Sequence, residues 1–142
     1  MPEAEGKVIA WVSEEAIRTD WLETIPYEGG RQVVTYETEE FSAVCPFSGL
    51  PDFGELKIRY VPGNRLVELK SLKYYIVSFR QVGIYQENAL VRIYRDLWNL
   101  LNPRYLKITL AYRPRGGITA VCEKASCSDN QLEEILFLSG EK

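Results

Sequence analysis

A thiol and a carboxylate lie seven positions apart in the segment that begins at Cys45 and ends at Asp52. Two stretches with the composition of strands, Val33 to Val44 and Phe53 to Val61, flank this segment, so it is predicted to be a connecting loop. The residues that would form the turn are Pro46, Gly49 and Pro51. Loops held by rigid strands often carry reactive groups. The spacing therefore predicts a thiol nucleophile beside a proton donor; the alternative is an inert, buried cysteine and a turn-forming aspartate.

A second candidate group lies in the run Glu68 to Tyr75, which reads Glu-Leu-Lys-Ser-Leu-Lys-Tyr-Tyr. Ser71 is predicted to cap a helix, and Lys70 and Lys73 are three positions apart beside its start. Free N–H groups and the helix dipole favour anions at such a position. The run therefore predicts a phosphate site, with two solvated lysines as the alternative.

Three further positions could contact a ligand. Arg115 followed by Gly116 would add a cation with permissive backbone, although the same residues suit an ordinary hairpin turn. Glu68, at a strand end, and Glu87, in the first turn of a helix, could each accept two parallel hydrogen bonds from a guanine-like edge. For Glu87 the alternative is stabilisation by the helix dipole alone.

The 142-residue chain contains no histidine, which limits the chemistry available to it. Neither a Ser-His or Cys-His pair nor a histidine-based metal site can form, so no metal is expected. Three cysteines without a C-x-x-C pair indicate neither a disulfide framework nor a four-thiolate zinc site, and Cys122 and Cys127 are interpreted as structural. A net charge of -3 argues against nucleic acid as the direct partner. No stretch suits a membrane span or a signal peptide, so a cytoplasmic protein is expected.

Hydrophobic periodicity predicts the order β-β-(β)-α-α-β-β. The first helix would run from Ser71 to Gly83, and the second from Glu87 to Leu101 with Asp96 on its outer side. The last two strands would be Tyr105 to Tyr112 and Ile118 to Cys122, and a short helix could lie at Asn130 to Leu138. This order is typical of an α+β fold, with an antiparallel sheet and two helices on one face.

Residues 1–20 are predicted to be an N-terminal extension, with a possible short helix from Ser13, and 21–142 to be a single domain. Pro26, Gly29 and Gly30 would break the chain before the first strand. A small sheet with exposed edges favours pairing between subunits, so a homo-oligomer is expected.

The segment Cys45 to Asp52, the run Glu68 to Tyr75, Gln86-Glu87 and Pro114 to Gly117 together resemble the NADPH-dependent 7-cyano-7-deazaguanine reductases of queuosine biosynthesis, in their single-module form. The resemblance extends from about Trp21 to Cys122. It implies the tunnelling fold, in which five subunits close a barrel from their sheets and two pentamers stack into a decamer. It also implies an active site between subunits.

The resemblance implies a role for each candidate residue. Cys45 would attack the nitrile carbon to give a thioimide, and Asp52 would supply protons while two NADPH molecules deliver hydride. The implied cofactor-binding residues are Lys70, Ser71, Lys73, Arg115 and Gly116. The implied substrate-binding residues are Glu68, Glu87 and Gln86.

Two positions depart from the pattern of that family. Gln86 stands where many members have histidine, so it could donate a hydrogen bond to the substrate but could not exchange a proton near neutral pH. Ala89 stands where some members have a cysteine that forms a protective disulfide with the nucleophile. Cys45 is therefore expected to be more exposed to irreversible oxidation.

Four alternative functions differ in the residues that they require. An amidine synthase of the same fold would attack a nitrile on tRNA with Cys45 but use ammonia; the lysine pair and the acidic charge favour the reductase. A zinc cyclohydrolase of this fold would need histidine. A peroxiredoxin would use a serine such as Ser42 three residues before the cysteine, but Thr38 stands where its motif has proline. The non-enzymatic alternative is an oligomer that only binds a purine or pterin.

Overall fold

The computed structural model describes residues 10–137. Two single 3₁₀ turns come first, at Glu14–Ala16 and Thr19–Trp21. The elements that follow are β1 (Thr24–Pro26), β2 (Val34–Val44), β3 (Pro51–Val61), β4 (Arg65–Val67), α1 (Leu69–Val77), α2 (Gln86–Leu101), β5 (Tyr105–Arg115), β6 (Ile118–Ala125) and α3 (Asp129–Phe137). The predicted α+β class and the order of the central elements are confirmed.

The main sheet has four antiparallel strands in the order β2-β3-β5-β6. In β3, Leu56, Ile58 and Tyr60 are buried and alternate with Lys57 and Arg59 on the opposite face. This period of two is what a strand with one covered face requires. Strands β2 and β6 are the edges of this sheet.

A bulge in β2 changes which of its residues face the core. The register with β3 shifts between Thr38 and Phe41. Tyr36 and Thr38 lie opposite Ile58 and Leu56, and the extra residue then places Phe41 rather than its neighbour on the same face. Phe41 is fully buried there. The bulge thus extends the core toward the end of β2 that leads to Cys45.

Both central helices cover the face of the sheet that carries Leu56 and Ile58. Helix α2 buries Leu90, Ile93 and Leu97 at helical spacing, as predicted. Its last residue is Leu101, and the C-cap residue Asn102 adopts a left-handed conformation with φ 44°. Pro103 follows, so the predicted end of this helix is confirmed.

The first helix is shorter than the sequence predicts, since α1 ends at Val77 and not at Gly83. Phe79 and Val82 are fully buried, as its periodicity implies, but Phe79 lies in a turn and Val82 forms a β-bridge with Val12. The backbone after the helix has other partners: Val12 N–H donates to Gln81 O at 2.8 Å, and Gly83 N–H donates to Val12 O at 2.8 Å. A side chain at Gly83 would overlap the Trp11 ring. Hydrogen bonds to a distant segment therefore replace the last turn of the predicted helix.

Two other boundaries differ from the prediction. Pro51 and Asp52 belong to β3 and not to the loop, because they pair with Val44 and Ala43 of β2. Pro26 does not break the chain but ends β1, which pairs with β4. A strand of three residues that contains proline carries no detectable periodicity, and its edge position tolerates the missing N–H.

The first described residues pack against the core. Ile17 and Leu22 are buried in it, and the turn predicted at Ser13 is the 3₁₀ turn Glu14–Ala16. At the other end of the chain, α3 covers the opposite face of the sheet through Leu132, which packs on Val61 and Tyr105. The predicted boundary between extension and domain stays a prediction. Within residues 10–137, no helix combines the length and apolarity needed to cross a bilayer.

Asp96 is buried rather than on the outer side of α2, which corrects the prediction. Its Oδ2 accepts hydrogen bonds from Tyr75 OH at 2.7 Å, Thr19 Oγ1 at 2.9 Å and Arg92 Nε at 2.8 Å. These donors come from α1, from the N-terminal segment and from α2 itself. One carboxylate therefore joins three parts of the chain. The helical periodicity of the sequence cannot predict these contacts, because it contains no information about distant donors.

We expect Asp96→Ala to lower the free energy of unfolding by about 3 kcal/mol, because it leaves the buried Tyr75 hydroxyl and the Arg92 guanidinium without their acceptor. Chemical denaturation measures the change. The matched control is Asp129→Ala, which removes an exposed acid from the first turn of α3 and should cost about 0.5 kcal/mol. Equal losses in the two variants would contradict the assigned role of Asp96.

Candidate active site

The loop that carries Cys45 is a tight turn closed by its own backbone. Cys45 N–H donates to Leu50 O at 2.9 Å, and Gly49 N–H donates to Cys45 O at 2.7 Å. Gly49 has φ 75°, a conformation that glycine adopts without strain. The turn also has an outside support, since Val44 N–H donates to Val82 O at 3.0 Å and Ile84 N–H donates to Val44 O at 3.2 Å. Because Ile84 stands just before α2, these bonds hold the cysteine near the start of that helix.

The pKa of the Cys45 thiol is lower than that of an ordinary cysteine. The main cause is hydrogen bonding from the Ser48 backbone N–H, with the Phe47 N–H and the Ser48 hydroxyl adding to it. Partial burial and the negative charge of Asp52 oppose the shift without reversing it. A thiolate is the reactive form of cysteine, so the turn activates Cys45 as a nucleophile.

The pKa of the Asp52 carboxyl is shifted in the opposite direction. Burial raises it, and the positive charge of Arg115 lowers it by less. The side chain is only 12% exposed, and its Oδ2 lies 3.7 Å from Arg115 Nη1. Asp52 thus holds a proton at a higher pH than an exposed aspartate does. A nucleophile and an acid with opposite shifts occupy the same end of the β2-β3 hairpin.

Arg115 and Gly116 lie where β5 turns into β6. Gly116 and Gly117 have φ 59° and 77°, so the hairpin needs glycine at both positions. Arg115 Nη2 donates to Gln86 Oε1 at 3.0 Å, and its guanidinium carbon lies 4.9 Å from the centre of the Tyr112 ring. The arginine is about half exposed. It therefore belongs to the same cluster as Asp52.

Gln86 is almost completely buried at the first position of α2. Its Nε2 donates to Leu110 O and to Ala120 O, both at 2.9 Å. Both N–H groups of the amide are thus used within the chain. A hydrogen bond from Gln86 to the substrate stays a prediction, and it would require one of these bonds to break.

Glu87 is exposed in the first turn of α2, as predicted, and its charge acts on the same cluster. Burial, followed by the negative charge of Glu87, raises the pKa of the Cys122 thiol, whereas Arg115 lowers it. Cys127 lies apart from these groups, against the small core under α3. Neither cysteine shares the activating hydrogen bonds of Cys45, in agreement with their interpretation as structural.

Sequence reasoning missed Tyr112. Its ring is buried, and its hydroxyl has no hydrogen-bond partner within the described residues. Burial and then the charge of Asp52 raise its pKa well above the usual value. Tyr112 lies opposite Gly54, where a β-carbon would come within 2.6 Å of the ring. A glycine in the middle of a strand was the available signal, since it often marks the close approach of another group.

The start of the Glu68 run lies toward the opposite end of the sheet. Val67 N–H donates to Tyr60 OH at 3.2 Å, which places the start of α1 near the end of β3. Asp52 precedes Tyr60 by eight residues of the same strand, which corresponds to about 26 Å. One copy of the chain therefore keeps Glu68, Lys70 and Ser71 apart from Cys45.

Glu68, and not Ser71, is the N-cap of α1, which corrects the prediction. Its two carboxylate oxygens accept from Lys70 N–H and Ser71 N–H, each at 2.8 Å. The Ser71 hydroxyl is buried, donates to Glu68 O at 2.7 Å and accepts from Glu23 N–H at 3.0 Å. The helix start therefore already has a bound anion, its own glutamate.

Lys70 and Lys73 are exposed. Lys70 lies over the Tyr74 ring at 5.9 Å, and Lys73 borders a groove between α1 and the β2 edge. Within residues 10–137, neither lysine forms a salt bridge. Both are thus accessible to a ligand, and their role in phosphate binding stays a prediction.

A family model described as "QueF-like protein" matches residues 51–131. Two proteins named NADPH-dependent 7-cyano-7-deazaguanine reductase, from Thermotoga petrophila and Thermotoga maritima, are each 52% identical over 136 residues, which cover 95% of this chain and 99% of each relative. A protein of the same name from Caldicellulosiruptor bescii is 54% identical over 107 residues, 74% of this chain and 82% of its own.

Among solved structures, the chain is similar to an apo archaeosine synthase described as QueF-Like. The TM-score is 0.61 at 21% sequence identity, and the match covers 70% of this chain and 96% of the other. At that identity the likeness shows a shared fold.

Proposed function

This chain belongs to the QueF-like family, and on that premise we propose that it reduces 7-cyano-7-deazaguanine to 7-aminomethyl-7-deazaguanine with NADPH, a step of queuosine biosynthesis. The observation that carries the proposal is geometric: the Cys45 thiol, with three hydrogen-bond donors from its own turn, and the largely buried carboxyl of Asp52 lie at one end of the β2-β3 hairpin. The pKa of the Cys45 thiol is lowered and that of the Asp52 carboxyl is raised. A nitrile needs both, a nucleophile for its carbon and an acid for its nitrogen.

In the first step the Cys45 thiolate adds to the nitrile carbon. A carbon–sulfur bond forms, one π bond of the nitrile breaks, and the nitrogen takes a proton from Asp52. The product is a thioimide in which the substrate is covalently bound. Asp52 then returns to its protonated form from solvent, which its raised pKa favours.

Conversion of a nitrile to an amine is a four-electron reduction. NADPH, when bound, supplies the two hydrides, and two NADPH molecules are consumed for each amine. Cys45 leaves as a thiolate when its bond to the substrate carbon breaks, and Asp52 supplies protons to the nitrogen. The carbon gains two hydrides and the nitrogen gains two protons, so atoms and charge balance, and Cys45 is restored as a thiolate for another turnover.

Lys70, Lys73 and Arg115 would hold the phosphates of NADPH. All three are accessible cations, a requirement for the extra phosphate that distinguishes NADPH from NADH. Gly116 would let the backbone approach the cofactor, and Ser71 would act through the helix start that it stabilises. The residues present therefore fit the cofactor.

Glu87 and Glu68 would bind the deazaguanine edge. Glu87 lies in the cluster of Cys45, whereas Glu68 follows Val67, which bonds to Tyr60, a residue about 26 Å along β3 from Asp52 in the same copy. Both can reach one substrate only if neighbouring copies contribute to the site. We therefore infer an active site between subunits, with Glu68 and the lysines supplied by the second copy.

Edge pairing supplies a route to that assembly. Strands β2 and β6 carry unpaired backbone groups, and the edge strand β6 also exposes Ile118 and Val121. Pairing of β2 on one copy with β6 on the next would close a ring. A pentameric barrel of the tunnelling fold, stacked in pairs as a decamer, is the form of ring that we propose.

An assay of the purified chain tests the proposed function. Incubation with 7-cyano-7-deazaguanine and NADPH should give the amine, with two NADPH oxidised per amine, as measured by absorbance and by mass spectrometry of the product. A parallel incubation replaces NADPH with ammonia. An amidine in that arm and no amine in the first would assign the chain to amidine synthesis and overturn the proposal.

We expect Lys73→Met to raise the KM for NADPH about tenfold, because one charge-assisted contact to phosphate is lost. The kcat should change less than about twofold. Lys57→Met is the matched control, since Lys57 pairs with Glu37 on the face of the sheet opposite α1 and α2. A higher KM for the nitrile, with that for NADPH unchanged, would show that Lys73 serves the substrate instead.

A further inference from the structure

Three groups surround the guanidinium of Arg115, but only one of them bonds to it directly. Nη2 donates to Gln86 Oε1 at 3.0 Å, whereas Nη1 lies 3.7 Å from Asp52 Oδ2. The second distance is longer than a hydrogen bond. The Tyr112 ring lies 4.9 Å away on one side. Arg115 is thus bonded to an amide while it lies close to a carboxylate, which is the stronger acceptor.

The orientation of the Gln86 amide is fixed by its other contacts. Its Nε2 donates to Leu110 O on β5 and to Ala120 O on β6, so the nitrogen must face the sheet. A flipped amide would direct its oxygen at two carbonyl oxygens. The oxygen therefore points at Arg115. None of these bonds depends on pH, because an amide does not titrate in the physiological range.

We propose that Gln86 is a positioning residue that holds the Arg115 guanidinium short of a hydrogen-bonded ion pair with Asp52. The inference rests on the proposed function, in which Asp52 donates protons to the substrate nitrogen. A fully formed ion pair would stabilise the carboxylate and deprive the acid of its proton. Bonding to Gln86 also keeps the arginine at a fixed place, with its other side open to a cofactor phosphate.

The surroundings of Asp52 make the position of Arg115 decisive. The titratable and charged groups of the cluster come from the Cys45 turn, β5, β6 and α2, and they are Cys45, Tyr112, Arg115, Cys122 and Glu87. Arg115 is the one cation among them. The others are neutral or negative, so burial, which raises the pKa of Asp52, is opposed by the charge of this one guanidinium, and its distance from the carboxylate sets the balance.

Carbon-13 NMR titration of the Asp52 carboxyl tests the inference without any need for turnover. The Asp52→Asn variant identifies the signal. In Gln86→Met, Arg115 loses its amide partner and closes onto Asp52, so the pKa of Asp52 should fall by about one unit. In Arg115→Met it should rise. The double variant should match Arg115→Met, because Gln86 acts only through the arginine.

The inference would be overturned if Gln86→Met changed the pKa of Asp52 by the same amount in the presence and in the absence of Arg115. It would also be overturned if Gln86→Met left that pKa unchanged. Arg115→Lys provides a second route if Gln86→Met does not fold, which thermal denaturation reveals. The ammonium of lysine is a compact charge without the planar fork of the guanidinium and should pair with the carboxylate, the stronger acceptor, so the pKa of Asp52 should again fall. A rise or no change would refute the proposal.

Activity supplies the link to catalysis. In Gln86→Met the alkaline limb of kcat/KM for the nitrile should move about one unit lower, while the KM for the nitrile itself stays the same. A KM for the nitrile raised about tenfold, with the alkaline limb in place, would make Gln86 a substrate ligand and overturn the positioning role. If the unmutated chain fails the reductase assay but Gln86→Met still lowers the pKa of Asp52, the proposed function is refuted and the positioning role of Gln86 is not.

Discussion

Cys45→Ala should abolish reduction of the nitrile, with turnover lower by about 10⁴-fold or more, as expected when the residue that carries the covalent intermediate is removed. The turn from Cys45 to Leu50 gives this thiol three hydrogen-bond donors, from the backbone of Phe47 and Ser48 and from the Ser48 hydroxyl. No other nucleophile of the described chain shares that arrangement. NADPH oxidation in the presence of 7-cyano-7-deazaguanine measures the loss.

Intact-mass measurement separates the chemistry from binding. The unmutated chain incubated with the nitrile alone should gain the mass of one substrate, since addition to a nitrile expels no atoms. Cys122→Ala and Cys127→Ala are matched controls and should still form the adduct, because both leave the Cys45 turn and its donors intact. Failure of the unmutated chain to form an adduct, or survival of the adduct in Cys45→Ala, would rule out the covalent route.

Asp52→Asn is the second change with a large expected effect. Its amide has nearly the shape of the carboxyl but cannot give a proton to the nitrile nitrogen, so turnover should fall by about 10² to 10⁴-fold. In the unmutated chain, activity should fall as pH rises through the raised pKa of Asp52, because the acid form is then lost. That alkaline limb should be absent from the residual activity of Asp52→Asn.

Stability distinguishes loss of the acid from loss of the fold. Burial raises the pKa of Asp52 in the folded chain, so its contribution to stability is present at low pH and lost as pH rises through that pKa. The charged form of this carboxyl is therefore unfavourable to folding. Asp52→Asn should unfold at the same temperature as the unmutated chain or higher. Inactivity together with a lower unfolding temperature would point to structural damage instead.

Local patterns in the sequence predict the long strands well. Alternation places β2 and β3 within a few residues of their observed ends, because Leu56, Ile58 and Tyr60 all face one covered side. Similarly, α2 ends as its apolar stripe and Pro103 indicate. In each of these elements the backbone forms hydrogen bonds within the element or to the next strand. The residues of the element itself therefore suffice to predict where it begins and ends.

The sequence predicts less where a residue depends on a distant part of the chain. Gly83 does not end a helix, because the backbone around it bonds to Val12 and Val44. Asp96 faces inward because Thr19 and Tyr75 supply donors to it. A pattern with a period of 3.6 records the polarity of such a side chain but not the donors that make its burial favourable.

In the candidate site, too, the sequence predicts what local motifs determine and misses what depends on distant parts of the chain. Motif positions identify Cys45, Asp52, Gln86 and Arg115, and the structure brings these four together at one end of the sheet. The contacts of two residues could not be predicted from the motifs. The amide of Gln86 faces two strands and an arginine, and the carboxylate of Glu68 caps its own helix. Both roles depend on which backbone groups lack partners, and that is known only once the strands are paired.

The bonds that support the Cys45 turn span long stretches of chain. Val44 bonds to Val82 and Ile84, and the other side of the same short segment bonds to Val12. The surroundings of the thiol are therefore completed only when regions far apart in sequence have come together. The reactivity of Cys45 therefore depends on the fold of the whole domain. The rate at which a small alkylating reagent labels this thiol would measure whether the domain is folded, and not only whether one surface turn is open.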